Sequence, residues 1–241
     1  MLILAMAITT PVYTKKSLLA GILFCLALVF GALLLSAVYL MPFLKAHQVA
    51  ADLVFLSSRL LLWLVLLLLY LYVIKTEAGP FLIWGNTTLT IKKSIMLVAG
   101  ILLGIFCCGM LSAIIAKVFG WNMQSARFNE AVKLFIHYPY LVYFTAITAG
   151  ITEELLFRGY LLPRLQLLVN NSMFSILLSS LLFGLLHFGY GTLFNMLGPF
   201  FMGIVFAFFY NKYRHMGILI IAHSLWDILA ILAKTSVAPL K

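Results

Sequence analysis

The stretch LVFLSSRLLLWLVLLLLYLYVI, Leu53 to Ile74, runs for 22 residues with one charge, Arg59. A bilayer core takes about 20 apolar residues per helix. Read outward from it, six further apolar runs can be drawn: about 18–40, 94–119, 139–163, 172–188, 194–210 and 216–233. The chain is 65% hydrophobic and only 9% charged, with a mean hydropathy of +1.15. This composition points to an all-α, polytopic transmembrane helical bundle of about seven spans. The alternating ten-residue strands of an outer-membrane barrel are absent from the pattern. The net charge of +10 is scattered through loops and helix ends, which fits anchoring to anionic lipid in a bilayer rather than binding to nucleic acid. The loop Lys and Arg residues, Arg164 among them, give a small excess on the side of the N-terminus and so place that end inside.

Between the runs, Gly79-Pro80 and Gly85-Asn86 mark the Lys75–Lys93 segment as a loop, and Asn170-Asn171 reads as a tight turn. Trp121 to His137 is the most polar stretch and reads as an interfacial helix. Met1 to Val12 is apolar, but Lys15 and Lys16 follow it, the reverse of a cleaved signal peptide; it is expected to lead into the first span along the interface. Cys25, Cys107 and Cys108 lack C-x-x-C spacing and read as small buried residues. Gly100-x-x-x-Gly104 permits close helix packing, as does the Gly203 and Ala207 pair. Arg59 is expected to snorkel to the interface. The aromatics from Phe200 to Tyr210 read as a lipid-facing or packing surface, and His47, His137 and His215 fall in loops or at interfaces.

The whole chain has six Asp and Glu. Glu153, Glu154 and Asp227 are three of them, and all lie in apolar runs, as do His187 and His223. Titratable groups in hydrocarbon are costly unless paired, protonated or wet, which makes them candidates for function. If the fourth and fifth runs form a hairpin closing at Asn170-Asn171, Glu153 and His187 both lie roughly 25 Å from the turn at about 1.5 Å per residue. A carboxylate and an imidazole then share one level. Glu154 and Arg158 are four apart and can pair, whereas Glu153 points roughly 100° away and stays free to meet His187 as a general base. An ion-pair network that only holds helices together needs one acid, and two are present. His223 and Asp227 also share a face. Either they stabilise the oxyanion of a tetrahedral intermediate, or His187, His223 and a carboxylate such as Asp227 hold Zn²⁺ with an open position for water. No H-E-x-x-H helix is present.

Taken in order, Gly150-Ile-Thr-Glu-Glu-Leu-Leu-Phe-Arg-Gly159, Leu182-Phe-Gly-Leu-Leu-His187, the Gly203-containing helix Phe200–Ala207 and Ala222-His-Ser-Leu-Trp-Asp227 resemble the motifs of the CPBP (CAAX-protease and bacteriocin-processing, or Abi) family of intramembrane proteases. The resemblance covers roughly Tyr140 to Ala233. It divides the chain into N-terminal membrane helices over 1–138 and a catalytic core over 139–235. It implies peptide-bond hydrolysis in a membrane cavity: Glu153 and His187 activate water, His223 and Asp227 stabilise the oxyanion, Glu154 and Arg158 support, and Phe183, Gly203 and Ala207 pack. An ionised Asp227 cannot donate a hydrogen bond, so Asn would suit the oxyanion role better. The expected cofactor is none, with zinc as the alternative.

The expectation is therefore a multi-pass intramembrane endopeptidase of a bacterial inner membrane, acting on a membrane-embedded or membrane-associated peptide or protein. The competing classes are a non-catalytic membrane protein on the same scaffold, such as a bacteriocin self-immunity factor, and a small proton-coupled transporter. The paired broken helices of the transporter class are not evident.

Overall fold

The computed structural model describes residues 13–237, so the expectation for Met1–Val12 lies outside the described residues. Among the described residues seven helices are long and apolar enough to cross a membrane: α1 (Lys15–Ala46), α2 (Ala51–Glu77), α3 (Ile91–Val118), α5 (Tyr140–Val169), α6 (Ser172–Tyr190), α7 (Phe194–Tyr213) and α8 (Met216–Val237). The polar stretch before α5 forms the short helix α4 (Ala126–His137). Four of the starts carry a local signal. Thr14, Thr90, Ser125 and Asn171 accept hydrogen bonds from backbone N–H groups in the first turns of α1, α3, α4 and α6. Asn170 takes the left-handed conformation that closes α5.

α5 is the axis of the bundle. In its central window 61% of residues are buried, against 39% or less in the other six spans. α8 packs along it, and α2 lies on another side. Gly150 permits the first contact: a Cβ there would run into the Ser224 side chain and stand 3.0 Å from the Ile220 carbonyl oxygen. α6 and α7 form the tightest pair, with a Cβ at Gly203 only 3.0 Å from Ser180 Cα. Gly100 and Gly104 face Phe209 and Val205, so the small-residue pair on α3 seats α7.

α5 changes character midway. After Glu154 it widens into a π-helical stretch, Leu155–Leu161, closed by a Leu162 N–H bond to the Phe157 carbonyl. Pro163 follows, and having no N–H it cannot donate to the Gly159 carbonyl one turn back. A π turn is a common way to absorb such a break, and it often marks a functional site. The same order recurs in α1, where the π stretch Ser36–Leu40 precedes Pro42.

Arg164 is not a loop charge. It is fully buried in α5 and forms an ion pair with Glu77 at the end of α2. Its Nη1 donates to the Phe81 and Tyr160 carbonyls at 3.3 and 3.2 Å, and the Tyr160 hydroxyl donates to Glu77 at 2.7 Å. Gly21 of α1 leaves room for this knot, since a Cβ there would collide with both Glu77 and Tyr160. Breaking a buried pair from one side strands a charge, so Glu77→Ala is expected to cost about 3–5 kcal/mol. Thermal unfolding in detergent measures this, and a melting point equal to the native chain's would contradict the assignment.

Candidate functional site

The site is assembled where α5, α6, α7 and α8 meet. Its dry floor is one carboxylate. Glu154 Oε1 accepts from Arg158 Nη1 and from His223 Nδ1, both at 2.8 Å. Glu154, Arg158 and His223 are 0%, 1% and 2% exposed, so this triad is closed to water. Arg158 also donates to the Gly203 carbonyl at 3.3 Å, and its guanidinium lies 4.4 Å over the Phe183 ring and 5.2 Å from that of Phe206. Among the described residues Glu154 Oε2 and Arg158 Nε have no hydrogen-bond partner, so the cluster hangs on the single shared oxygen. Phe183, Gly203 and Ala207 act as packing residues: Phe183 and Ala207 are buried, and Gly203 brings its carbonyl to Arg158.

The other face of the His223 ring is wetter. Its Nε2 lies 3.9 Å from Glu153 Oε2 and 3.7 Å from Asp227 Oδ2. The Glu153 and Asp227 side chains are 14% and 26% exposed. The two neighbouring glutamates are thus sorted by helix rotation: Glu154 points into the core and Glu153 toward accessible space. The i,i+4 pairing of Glu154 with Arg158 holds as the spacing predicts. The bond from Glu154 to His223 was not foreseen. It depends on how α8 is turned about its axis, which spacing within one helix does not reveal.

His187 stands slightly apart. Its Nδ1 lies 3.0 Å from the Phe183 carbonyl, so as the protonated nitrogen it donates there and leaves the Nε2 lone pair free. Its ring meets Phe183 edge-on at 5.0 Å, and the same Phe183 ring meets His223 at 6.2 Å. His187 lies within electrostatic reach of both Glu153 and His223, but no ion pair joins it to Glu153 among the described residues. The hairpin brings the two groups to one region, while the nearest histidine to Glu153 is His223. The π stretch separates Glu153 from the turn and rises less per residue than the α-helix assumed in the level calculation.

Both histidines carry an outer hydrogen bond of the kind that orients metal ligands. Yet among the described residues no three His, Cys, Asp or Glu side chains converge as a metal-holding group.

Several residues gain roles that the sequence did not give them. Phe206 is fully buried and stacks on His223 at 5.2 Å, and Tyr210 is fully buried too, so that face of α7 looks inward. Tyr190 stacks on His187 at 6.1 Å. Arg59 Nε is buried without a partner among the described residues, and its guanidinium lies 5.1 Å from the Phe55 ring. His47, His137 and His215 stay at helix ends, away from this cluster. An apolar groove of about 460 Å³ between α2 and α5, lined by Leu60, Trp63, Phe144, Ile147 and Thr148, includes none of the site's carboxylates or histidines.

Substitutions read this sorting directly. Glu154→Gln and Arg158→Met are each expected to lower stability by about 3–5 kcal/mol, whereas Glu153→Gln should cost less than about 1 kcal/mol because that side chain is part-exposed and makes no hydrogen bond among the described residues. Equal losses of melting temperature at 153 and 154 would contradict the division.

Comparison with known proteins adds three findings. Residues 135–229 match the family described as type II CAAX prenyl endopeptidase Rce1-like. The Bacillus subtilis (strain 168) protein named "Putative membrane peptidase YdiL" is 29% identical over 126 residues, which cover 52% of this chain and 50% of that protein. The aligned stretch thus spans about half the length of that relative. No solved structure matches.

Proposed function

We propose, from the premise that residues 135–229 belong to the CPBP family through their Rce1-like match, that this multi-pass membrane protein is an intramembrane endopeptidase. It would hydrolyse a peptide bond of a membrane-embedded or membrane-associated substrate in a bacterial cell membrane. The observation that carries the reading is the use of two adjacent glutamates for two jobs. Glu154 is spent on Arg158 and His223 in the dry core. Glu153 has no hydrogen-bond partner of its own among the described residues and faces the accessible side beside His223 and Asp227. A structural ion pair would need only the first.

In this reading a water held between Glu153 and His187 Nε2 attacks the scissile carbonyl carbon, and its proton passes to the Glu153 carboxylate. The carbonyl oxygen becomes an oxyanion. His223, tethered through Nδ1–H to Glu154, presents Nε2 toward the reacting centre; with a proton there it donates to that oxyanion. Asp227 either donates as the acid or orients His223. Collapse of the intermediate breaks the C–N bond, and the proton on Glu153 goes to the departing amine. The products are a carboxylate and an amine, and Glu153 returns to its starting form.

Water activation in this scheme uses no metal. The support is that the candidate ligands do not converge and that Glu153 cannot readily serve as ligand and base together. Purified active protein is expected to contain far less than one zinc per chain and to keep its activity after tight chelation. Zinc near one per chain, with activity lost on removal and recovered on re-addition, would overturn this and make Asp227 a ligand.

The function itself is tested in cells carrying Glu153→Gln in place of the native chain. The variant is expected to be produced at native levels and to accumulate an uncleaved membrane precursor visible by mass spectrometry of the membrane fraction. An unchanged membrane peptide profile, with full biological activity of the variant, would favour a non-catalytic role on the same scaffold.

A further inference from the structure

Arg59, in the first half of α2, is a basic side chain that neither the fold nor the proposed chemistry uses. Its place is fixed by two cross-helix hydrogen bonds. Asp52 of α2 accepts from the Tyr140 hydroxyl at 2.7 Å, and Trp63 of α2 donates to Thr148 Oγ1 at 3.3 Å. Residues 52, 59 and 63 are spaced by seven and four, so they share one helix face. Arg59 therefore lies on the face of α2 that looks at α5, between the two ties. α8 runs antiparallel to α5, with Ser224 seated on Gly150. Asp227, nearly a turn further on, reaches the level of Arg59. Arg59 is accordingly within electrostatic reach of Asp227, His187 and Tyr190.

Despite these neighbours, Arg59 makes no salt bridge among the described residues. Asp52 is engaged by Tyr140, Asp227 lies nearest His223, and Arg59 Nε is shielded from water with no hydrogen bond. The cation rests against the Phe55 ring, which is in turn braced edge-on by Phe135 of α4 at 5.4 Å. A guanidinium held by an aromatic face, with donors unspent, is suited to bidentate capture of a carboxylate. A shielded N–H left without a partner is costly, and an arriving anion relieves that cost.

We propose that Arg59 is the substrate-anchoring residue of this site, taking a carboxylate of the bound peptide on the Asp227–His187 side and so setting which bond reaches Glu153. The inference deepens the peptidase reading and rests on it for the nature of the ligand. The carboxylate comes either from a peptide C-terminus or from an acidic side chain.

Calorimetric titration of the Glu153→Gln chain in lipid nanodiscs separates these cases without cleavage. The probes are an N-dodecanoyl tetra-alanine peptide as the free acid, the same peptide as the C-terminal carboxamide, and the carboxamide with glutamate at its second position. A charge-assisted pair predicts at least about tenfold tighter binding of one carboxylate probe over the plain carboxamide. Preference for the free acid identifies a terminal carboxylate, and preference for the glutamate probe identifies a side chain. Adding Arg59→Gln should erase the preference while leaving carboxamide affinity unchanged. Arg59→Lys keeps the charge without the fork, so part of the preference should survive; it also carries the test if Arg59→Gln does not fold. A preference that persists in Arg59→Gln, or no carboxylate preference in the Glu153→Gln chain, overturns the proposal. If the preference depends on Arg59 but no hydrolysis of any membrane peptide is found, the anion site stands and the peptidase reading fails.

Discussion

One carboxylate oxygen organises the centre of this protein. Glu154 Oε1 receives both the Arg158 guanidinium and the His223 imidazole in a region closed to water. In a bilayer such a charge cannot be left alone, so the helices that bring it partners are constrained together. Arg158 comes from the same helix, His223 from α8, and the Gly203 carbonyl that helps to hold Arg158 from α7. Loss of this oxygen would release three spans from a common reference point. The aromatic rings of Phe183 and Phe206 complete the enclosure and fix the cation and the imidazole in place.

The backbone serves the same end. The wide turn after Glu154 begins immediately past the two glutamates and is followed by Pro163. It absorbs the hydrogen bond that the proline cannot make, and it lets α5 continue to the Arg164–Glu77 knot at the far end. The central helix is thus anchored by two buried ion clusters, one near its middle and one near its end. Beside them, glycines rather than side chains decide how closely α8 approaches α5 and α7 approaches α6. The gradient of exposure from Glu154 to Glu153 to Asp227 then gives the cluster a dry side and a part-exposed side.

Much of this was legible in the sequence, for identifiable reasons. Seven apolar runs translate directly into seven helices because the bilayer sets their length. Glu153, Glu154, His187, His223 and Asp227 stand out because ionisable groups are rare in such runs. The Glu154–Arg158 pair follows from helical spacing alone. The bond to His223 does not, since it depends on the relative rotation of α5 and α8. Arg164 looked like a loop charge because Pro163 precedes it and the turn is near; the π stretch carries the helix through the proline to Val169 instead. Glu77 looked like a loop residue for a similar reason, yet α2 extends to include it. Arg59 was recognised as an isolated charge, but its neighbours come from α5, α6 and α8, which no local pattern names.

The arrangement at His223 is open to direct observation by solution NMR of the chain labelled with ¹⁵N-histidine, comparing the native protein with Glu154→Gln and Glu153→Gln. The account predicts a His223 Nδ1–H resonance shifted downfield by its bond to a buried carboxylate, lost in Glu154→Gln and retained in Glu153→Gln. A His223 spectrum unchanged by Glu154→Gln, or perturbed at Nδ1 by Glu153→Gln alone, would contradict the view that Glu154 holds the imidazole and leaves Glu153 free for chemistry.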